Sequence, residues 1–426
     1  MYTTTDLMHQ FSTGKLDTLL QDIYIDSALI PYQRERYTDA ILQYETCFGA
    51  GEVSIFSAPG RSEIGGNHTD HQHGHVLAAG INLDAIAIVS CSKDSMVEIK
   101  SDGYQLLQAD LENLSKNPSE ENTTLSLIKG VLAGFQAHGF QIGGFRAYIT
   151  SDVLIGAGLS SSAAFEVLLG TILSGLYNQM SVSPVEIAII GQYAENEYFG
   201  KPCGLMDQMA SSVGNLVHID FGTVSDPVVE KVTFDLDQAG YSLCITDTKG
   251  SHVDLTPDYA AIPAEMKSVA ALFGKSVLSE LTEEELLQRI PEIRSKVGDR
   301  AVLRSLHFFE ENKRAVAETD ALRCGEVPAF LQLVKASGAS SFQYLQNVYT
   351  NRNVTEQNVS VALAVSEIVL GSHGVCRVHG GGFAGTIQAF VENNSVPAYQ
   401  EAMDQLFGEG SCKALKIRKY GGMQVI

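Results

Sequence analysis

Three stretches hold the residues whose types and spacing could do chemistry. The first is residues 153–164, VLIGAGLSSSAA. Gly156, Ala157 and Gly158 are small enough to turn tightly and expose backbone N–H groups. Leu159 and the serines Ser160, Ser161 and Ser162 lead into an apolar stripe. A glycine-rich loop feeding a helix is an anion site, because the unpaired N–H groups and the helix dipole face the ligand. A tight strand–helix connection capped by serine is the alternative. The second stretch joins SAPGR at 57–61, ending in Arg61, to NHTDHQHGH at 67–75. Its four histidines suggest a transition metal, but metal ligands must converge on one point. Asn67, His68 and Asp70 better suit a polyol, whose hydroxyls each need a donor and an acceptor. The third stretch is PCGLMDQ at 202–208, with Glu195 upstream. Asp207 stands near a helix start, where a plain N-cap is the competing reading. Glu195 is either a solvated carboxylate or, beside phosphate, a magnesium ligand.

These residues need elements to hold them. Strand patterns at 53–56, 76–83 and 85–90 bracket the polyol segment and place Arg61 on a turn. A strand at 145–151 delivers the chain into the glycine loop. Phe165, Leu168, Leu169, Ile172, Leu173 and Leu176 then mark one face of a helix. A helix over 185–199, entered at Ser183-Pro184, carries Glu195. Residues 1–50 read as a helical extension. A composition shift at 220–227 divides the chain into units 1–222 and 223–426. The second unit has a strand at 241–247 and helices at 257–273, 299–319, 326–337 and 355–370. Strands at 375–378 and 386–391 flank a glycine run, and a helix at 398–407 and a basic strand at 414–419 end the chain. Mixed strands and helices in both units predict α+β layers, not a doubly wound sheet.

Composition excludes several classes. The 426 residues are 45% hydrophobic and 19% charged, as in a packed globular protein, and the net charge of −21 argues against a nucleic-acid duplex. Seven scattered cysteines without a CxxC pair fit a reducing cytosol. The opening MYTTTDLMHQ lacks a signal-peptide pattern, and no run approaches the ~18 apolar residues of a membrane span. Gly274-Lys275-Ser276 imitates the end of a Walker loop, but Val269 stands where its first glycine belongs. Residues 380–385, GGGFAG, match GxGxxG, but a strand follows where a dinucleotide site needs a helix. Those glycines suit close backbone approach instead, to a ligand or to another element.

Taken together, SAPGR…HTD, GAGLSSSAA, PCGLMDQ and GGGFAG resemble the GHMP small-molecule kinase superfamily, and within it the galactokinases, over about residues 53–391. The resemblance implies a two-domain GHMP kinase fold of the α+β class. Its parts are an N-terminal ribosomal-S5-like α/β domain and a C-terminal α+β ferredoxin-like domain, with the active site between them. It implies that residues 156–162 wrap the triphosphate of ATP and that Ser162 and Glu195 hold Mg²⁺. Asp207 becomes the catalytic base or electrostatic anchor at the anomeric hydroxyl, with Arg61 beside it. Asn67, His68, Asp70, Gly204 and Tyr259 fall at the sugar, and residues 381–385 support the active-site loop. The expected partners are a sugar and ATP, with no nucleic acid and no membrane, for a monomeric cytoplasmic enzyme.

The departures concern the sugar. Galactokinases read GEHTDY where this chain has GNHTDH, so Asn67 replaces a glutamate and would admit an acidic sugar. His71-Gln72 match a string of plant galacturonokinases. The double arginine after the tyrosine is missing, with Ala260-Ala261-Ile262 in its place, and the late SH motif is altered at 337–341. The expected reaction is ATP plus galactose to galactose 1-phosphate. The alternatives are a galacturonokinase or other galacto-configured sugar 1-kinase, and a non-catalytic sugar sensor on a kinase fold.

Overall fold

The computed structural model describes residues 2–153, 158–223, 227–250 and 255–426. Its first sheet has nine strands. Tyr2–Thr3, Glu52–Gly65, His75–Cys91, Phe145–Ser151, Met96–Ser101 and Leu106–Asp110 lie in that spatial order. Leu216–Asp220 pairs with the free half of His75–Cys91, followed by Val228–Val232, and Met423–Gln424 adds to Glu52–Gly65. All pairings are antiparallel except that of Met96–Ser101 with Phe145–Ser151. The second sheet is an antiparallel set of four, in the order Gly374–Val378, Thr386–Glu392, Tyr241–Asp247, Cys412–Leu415. The expected basic strand at 414–419 stops at Leu415, and only Ile417 returns, as a bridge to Ile81. The expected strands at 76–83 and 85–90 are one strand, and those at Leu106–Asp110, Leu216–Asp220 and Val228–Val232 were not expected.

Helices sandwich the first sheet. The N-terminal helices Thr4–Ser12, Asp17–Tyr24 and Ile30–Phe48 bury Leu7, Phe11, Ile23 and Ile41 against Ile55, Ile86 and Ile88 of one sheet face. On the other face lie Thr124–Ala137, Ser161–Tyr177 and Pro184–Tyr193, which bury Phe135, Leu168, Ile172 and Ile190 against Phe56, Ala87, Val89 and Ile149. Residues one apart on a strand face opposite sides, so the run from Ile86 to Val89 serves both cores. A further core joins the sheets. Ile64, Leu77, Ile81 and Leu216 pack with Leu243, Ile245, Phe330, Phe390 and Leu415. The site described below lies along this seam. Two strands beyond residue 222, Val228–Val232 and Met423–Gln424, join the first sheet.

A buried charge hub ties the first sheet to both ends of the chain. Asp84 is fully buried and accepts from Arg36 Nη1 at 2.7 Å, Arg418 Nη1 at 2.8 Å and the Tyr24 hydroxyl at 2.9 Å, and from Ser57 as well. Burial opposes its ionisation, but the two guanidinium groups outweigh it and hold its pKa below the usual carboxylate range. A depressed folded pKa stabilises the fold above the unfolded value of about 3.9, and that contribution is lost as pH falls through the folded value. Asp84→Asn leaves two buried cations short of their counter-charge, so it should destabilise the protein by about 3–5 kcal/mol. Urea unfolding at neutral pH checks this, and an unchanged midpoint would show that the hub does not hold the termini.

Candidate active site

Arg61 was expected on a turn. It lies instead inside the strand Glu52–Gly65, whose pairing with His75–Cys91 shifts register between Pro59 and Arg61. Proline and glycine at 59 and 60 read as punctuation, but here they mark an irregularity that re-aims the next side chain. Arg61 Nε donates to Asp207 Oδ1 at 2.7 Å, and its Nη1 donates to the carbonyl of Gly158 at 2.6 Å. Arg61 therefore holds both the candidate base and the edge of the glycine loop. Gly156 and Ala157 lie outside the described residues.

Asp207 sits in the first turn of the helix Met206–Val213, and its side chain is not the cap. Its other oxygen accepts the Ser160 hydroxyl. Ser160 occupies the N-cap position of Ser161–Tyr177 in the left-handed region (φ 54°) and makes no capping bond. The hydroxyl that a simple cap would use goes to Asp207 instead. The first-turn N–H groups are thus not taken by that side chain, as an anion site requires. Burial opposes ionisation of Asp207, but Arg61 outweighs it, with help from Ser160, and the pKa is lowered. The side chain stays 32% exposed, open to a ligand.

Glu195 lies in a π-helical turn, Ala194–Phe199, that ends the expected helix after Tyr193. Its Oε1 accepts from Ser162 Oγ at 3.3 Å and from Lys201 Nζ at 2.9 Å. Its Oε2 accepts from Gln208 Nε2 at 2.9 Å, and the same amide donates to Glu166 Oε2 at 3.0 Å. Burial, then the charge of Glu195, raise the Glu166 pKa well above the usual range, so Glu166 is a neutral brace. Glu166, Lys201 and Gln208 were not among the predicted site residues. For Glu166 the signal was available, as a glutamate on the apolar stripe's helix. The hydroxyl of Ser162 and the carboxylate of Glu195 are hard oxygen donors that fit Mg²⁺, which binds through few protein ligands plus phosphate. Among the described residues no group of three or more His, Cys, Asp or Glu converges on a metal site. The histidine segment is a 3₁₀ turn, Asp70–Gln72, followed by His73 at φ 59°, so it presents no strand face of ligands.

The polyol segment is divided in its orientation. Asp70 reaches Gly204 so closely that any β-carbon at 204 would collide with its Oδ2. His68 Nε2 lies 3.3 Å from the carbonyl of Gly381, which can only accept, so that nitrogen carries the proton. Its Nδ1 has no partner among the described residues. Burial, then the neighbouring His71, lower the His68 pKa to about 3, so the ring is neutral. Asn67 departs from expectation. It is fully buried, its amide donates to Glu63 Oε1 (3.0 Å) and the Gly380 carbonyl (2.8 Å), and its oxygen accepts from Asn347 (2.9 Å) and Ser341 (3.3 Å). Both ends of the amide are spent inside the protein, leaving nothing to offer a ligand. Tyr259 donates to the Gly382 carbonyl at 2.8 Å and meets Phe383 edge-on at 5.3 Å. The glycine run serves other elements: a β-carbon at Gly381 would lie 2.7 Å from the Tyr259 ring, and one at Gly382 would strike the Asn347 carbonyl. His379 and Thr386, which flank the run, pack beneath Gly158.

A serine loop at a helix N-terminus, two carboxylates around it and an arginine across it form a cluster whose chemistry suits phosphoryl transfer. The GHMP kinases N terminal domain matches residues 126–215, and the galactokinase galactose-binding signature matches residues 42–91. A galactokinase of Glaesserella parasuis is 28% identical over 383 residues, covering 88% of this chain and 94% of that protein. One of Streptomyces coelicolor is 28% identical over 377 residues, with the same two coverages. The crystal structure of Lactococcus lactis galactokinase complexed with galactose superposes with a TM-score of 0.77 at 24% identity, covering 90% of this chain and 98% of that one. Methanococcus jannaschii mevalonate kinase shares the fold at a TM-score of 0.60 and 15% identity, covering 86% and 99%. The chain is similar to the galactokinases of the GHMP kinase superfamily over most of its length, and these relatives support an ATP-dependent sugar kinase. Among the described residues, no helix is long and apolar enough to cross a membrane.

Two expectations follow from this geometry. Removing the arginine leaves Asp207 with burial but without its main counter-charge, so Arg61→Met should raise the Asp207 pKa by about one unit or more. The acid limb of the residual activity then moves to higher pH, whereas an unmoved limb would dissociate Arg61 from the charge of Asp207. Gly204→Ala forces Asp70 away at a cost of about 1–3 kcal/mol. The KM for sugar should rise about tenfold while ATP affinity holds, and equal KM values in the two proteins would contradict the placement of Asp70.

Proposed function

We propose that the protein transfers the γ-phosphoryl group of ATP to the anomeric hydroxyl of galactose, giving galactose 1-phosphate. The observation that carries this reading is the junction of Arg61, Asp207 and Ser160. It sets an ionised carboxylate, a buried cation and a helix N-terminus within hydrogen-bond reach of one another. Phosphoryl transfer asks for alignment and charge neutralisation more than covalent help. The triphosphate lies along residues 156–162. Asp207 accepts a hydrogen bond from the anomeric hydroxyl, which is more acidic than an ordinary alcohol, and takes its proton as the oxygen attacks. Arg61 keeps Asp207 charged and faces the charge spread over the transferred group. Ser162 and Glu195 would hold Mg²⁺, which when bound would neutralise charge on the phosphate oxygens. His68 Nδ1, Asp70 and Gly204 form the sugar-binding edge, and Tyr259 closes it with Phe383.

The L. lactis enzyme is a galactose complex, and the galactose-binding signature covers Arg61, His68 and Asp70; both support galactose. Galacturonate ranks below it, because the neutral Asn67 that suggested an acidic sugar has all its hydrogen bonds inside the protein. A sugar sensor has no need of Ser162, Glu195, Arg61 and Asp207 together.

Incubation with ATP, Mg²⁺ and a panel of hexoses and uronates, read as ADP release, should give the highest kcat/KM on galactose. Faster turnover of galacturonate would overturn the choice of sugar, and no turnover on any sugar would overturn the enzyme. Asp207→Asn should retain ATP binding and lose about 10²–10⁴ of turnover, the range of general-base catalysis. Turnover near that of the parent protein would remove Asp207 from the chemistry.

A further inference from the structure

Lys201 is the cation at this site that neither the family motifs nor the mechanism above employs. Its position is set by its own backbone. The N–H groups of Gly200 and Lys201 both donate to the carbonyl of Glu195, at 3.0 and 3.1 Å. Gly200 takes the left-handed turn this requires (φ 86°). The rest of the loop is pinned to the same helical segment, with Cys203 N–H donating to Asn196 Oδ1 at 2.7 Å and Gln192 donating to the Cys203 carbonyl at 3.1 Å. The lysine therefore rises from a fixed loop directly beside Glu195. Its ammonium touches Oε1, the same oxygen that takes the Ser162 hydroxyl, while the side chain remains 60% exposed. Arg61, by contrast, is buried and bound to Asp207 and Gly158.

Two cations cannot share one carboxylate oxygen without strong repulsion, and an ammonium released from Glu195 still has three donors and a long flexible stem. We propose that Lys201 is a nucleotide-phosphate ligand that neutralises Glu195 while the metal is absent and turns to the triphosphate when Mg²⁺ takes that oxygen. The inference rests on the reading of Glu195 and Ser162 as the metal ligands. It gives this chain a phosphate contact from the loop that follows Glu195, and it balances the charge of Glu195 before the metal binds.

Calorimetric titration of ATP at saturating Mg²⁺ and a metal-binding titration with Mn²⁺, read from the free-ion electron paramagnetic resonance signal without nucleotide, test it on the intact protein. Lys201→Met should weaken ATP binding at saturating Mg²⁺ about tenfold, the scale of one charge-assisted hydrogen bond, and should tighten Mn²⁺ binding in the absence of nucleotide severalfold. Lys201→Arg should restore ATP affinity close to that of the parent protein. Unchanged ATP affinity in Lys201→Met overturns the phosphate contact, and unchanged Mn²⁺ affinity overturns the exchange at Glu195. Glu195→Gln separates the two readings: it should weaken Mn²⁺ binding, and if it does not, the metal site itself is wrong whatever Lys201 does.

Discussion

The ion pair between Arg61 and Asp207 is the constraint on which the rest of the site depends. The partners are 146 residues apart in sequence and 2.7 Å apart in space. Arg61 comes from a strand interrupted at Pro59, and Asp207 from the first turn of a short helix, whose dipole also favours a carboxylate. The guanidinium has a further role, since it grips the carbonyl of Gly158 and so locks the end of the glycine loop. Moving either element would unpair a buried charge, and that cost holds strand, loop and helix in one arrangement. The same pair decides the protonation state of Asp207. A carboxylate with a lowered pKa is ionised through the neutral range, which suits the acceptor role proposed for Asp207.

A second set of buried charges supports the segment that carries His68 and Asp70. Arg377 pairs with Glu63 at 2.5 Å and donates to Ser337 and Gln388, each at 2.9 Å. Ser337 in turn donates to Glu311 at 2.6 Å, and Glu311 accepts the backbone N–H groups of Gly66 and Asn67. His307 bridges the Asn67 carbonyl and Ser340, each at 2.9 Å. The long helix Asp299–Arg323 thus holds the backbone from which His68 and Asp70 project. Glu318, also on that helix, lies under Gly65 with neither carboxylate oxygen hydrogen-bonded among the described residues. Burial, then the charge of Glu311, raise its pKa well above the usual range and keep it neutral. Such networks are expensive to desolvate and gain little net stability, but they admit few alternative packings, which suits a pocket that must present fixed donors.

Much of this was legible in the sequence, and the failures are specific. Helix and strand identities follow from apolar period and from caps such as Ser183 with Glu186, so the elements fell near their expected positions. The residues placed around the phosphate loop, Arg61, Ser160, Ser162, Glu195 and Asp207, do come together. What a linear pattern could not carry is direction. Pro59 and Gly60 look like a turn, but strand pairing on both sides absorbs them. Asn67 sits where a sugar ligand was expected, but its four partners come from residues near 63, 341, 347 and 380, a convergence only the tertiary fold creates. Lys201 and Gln208 read as ordinary polar residues until the π-helical turn at 194–199 brings Glu195 between them. The buried Arg377 and Arg418 have no local sign at all, because the carboxylates they hydrogen-bond, Glu63 and Asp84, lie more than 300 residues away.

The central claim is that the nucleophile is the sugar oxygen beside Asp207. The most direct measurement is ³¹P nuclear magnetic resonance of the product formed from galactose and ATP. If Asp207 takes the anomeric proton, the product phosphorus is coupled to the single anomeric proton, and no other phosphorylated sugar accumulates. A phosphorus coupled to the two protons of the terminal methylene would place the transfer at the far end of the sugar and contradict the account.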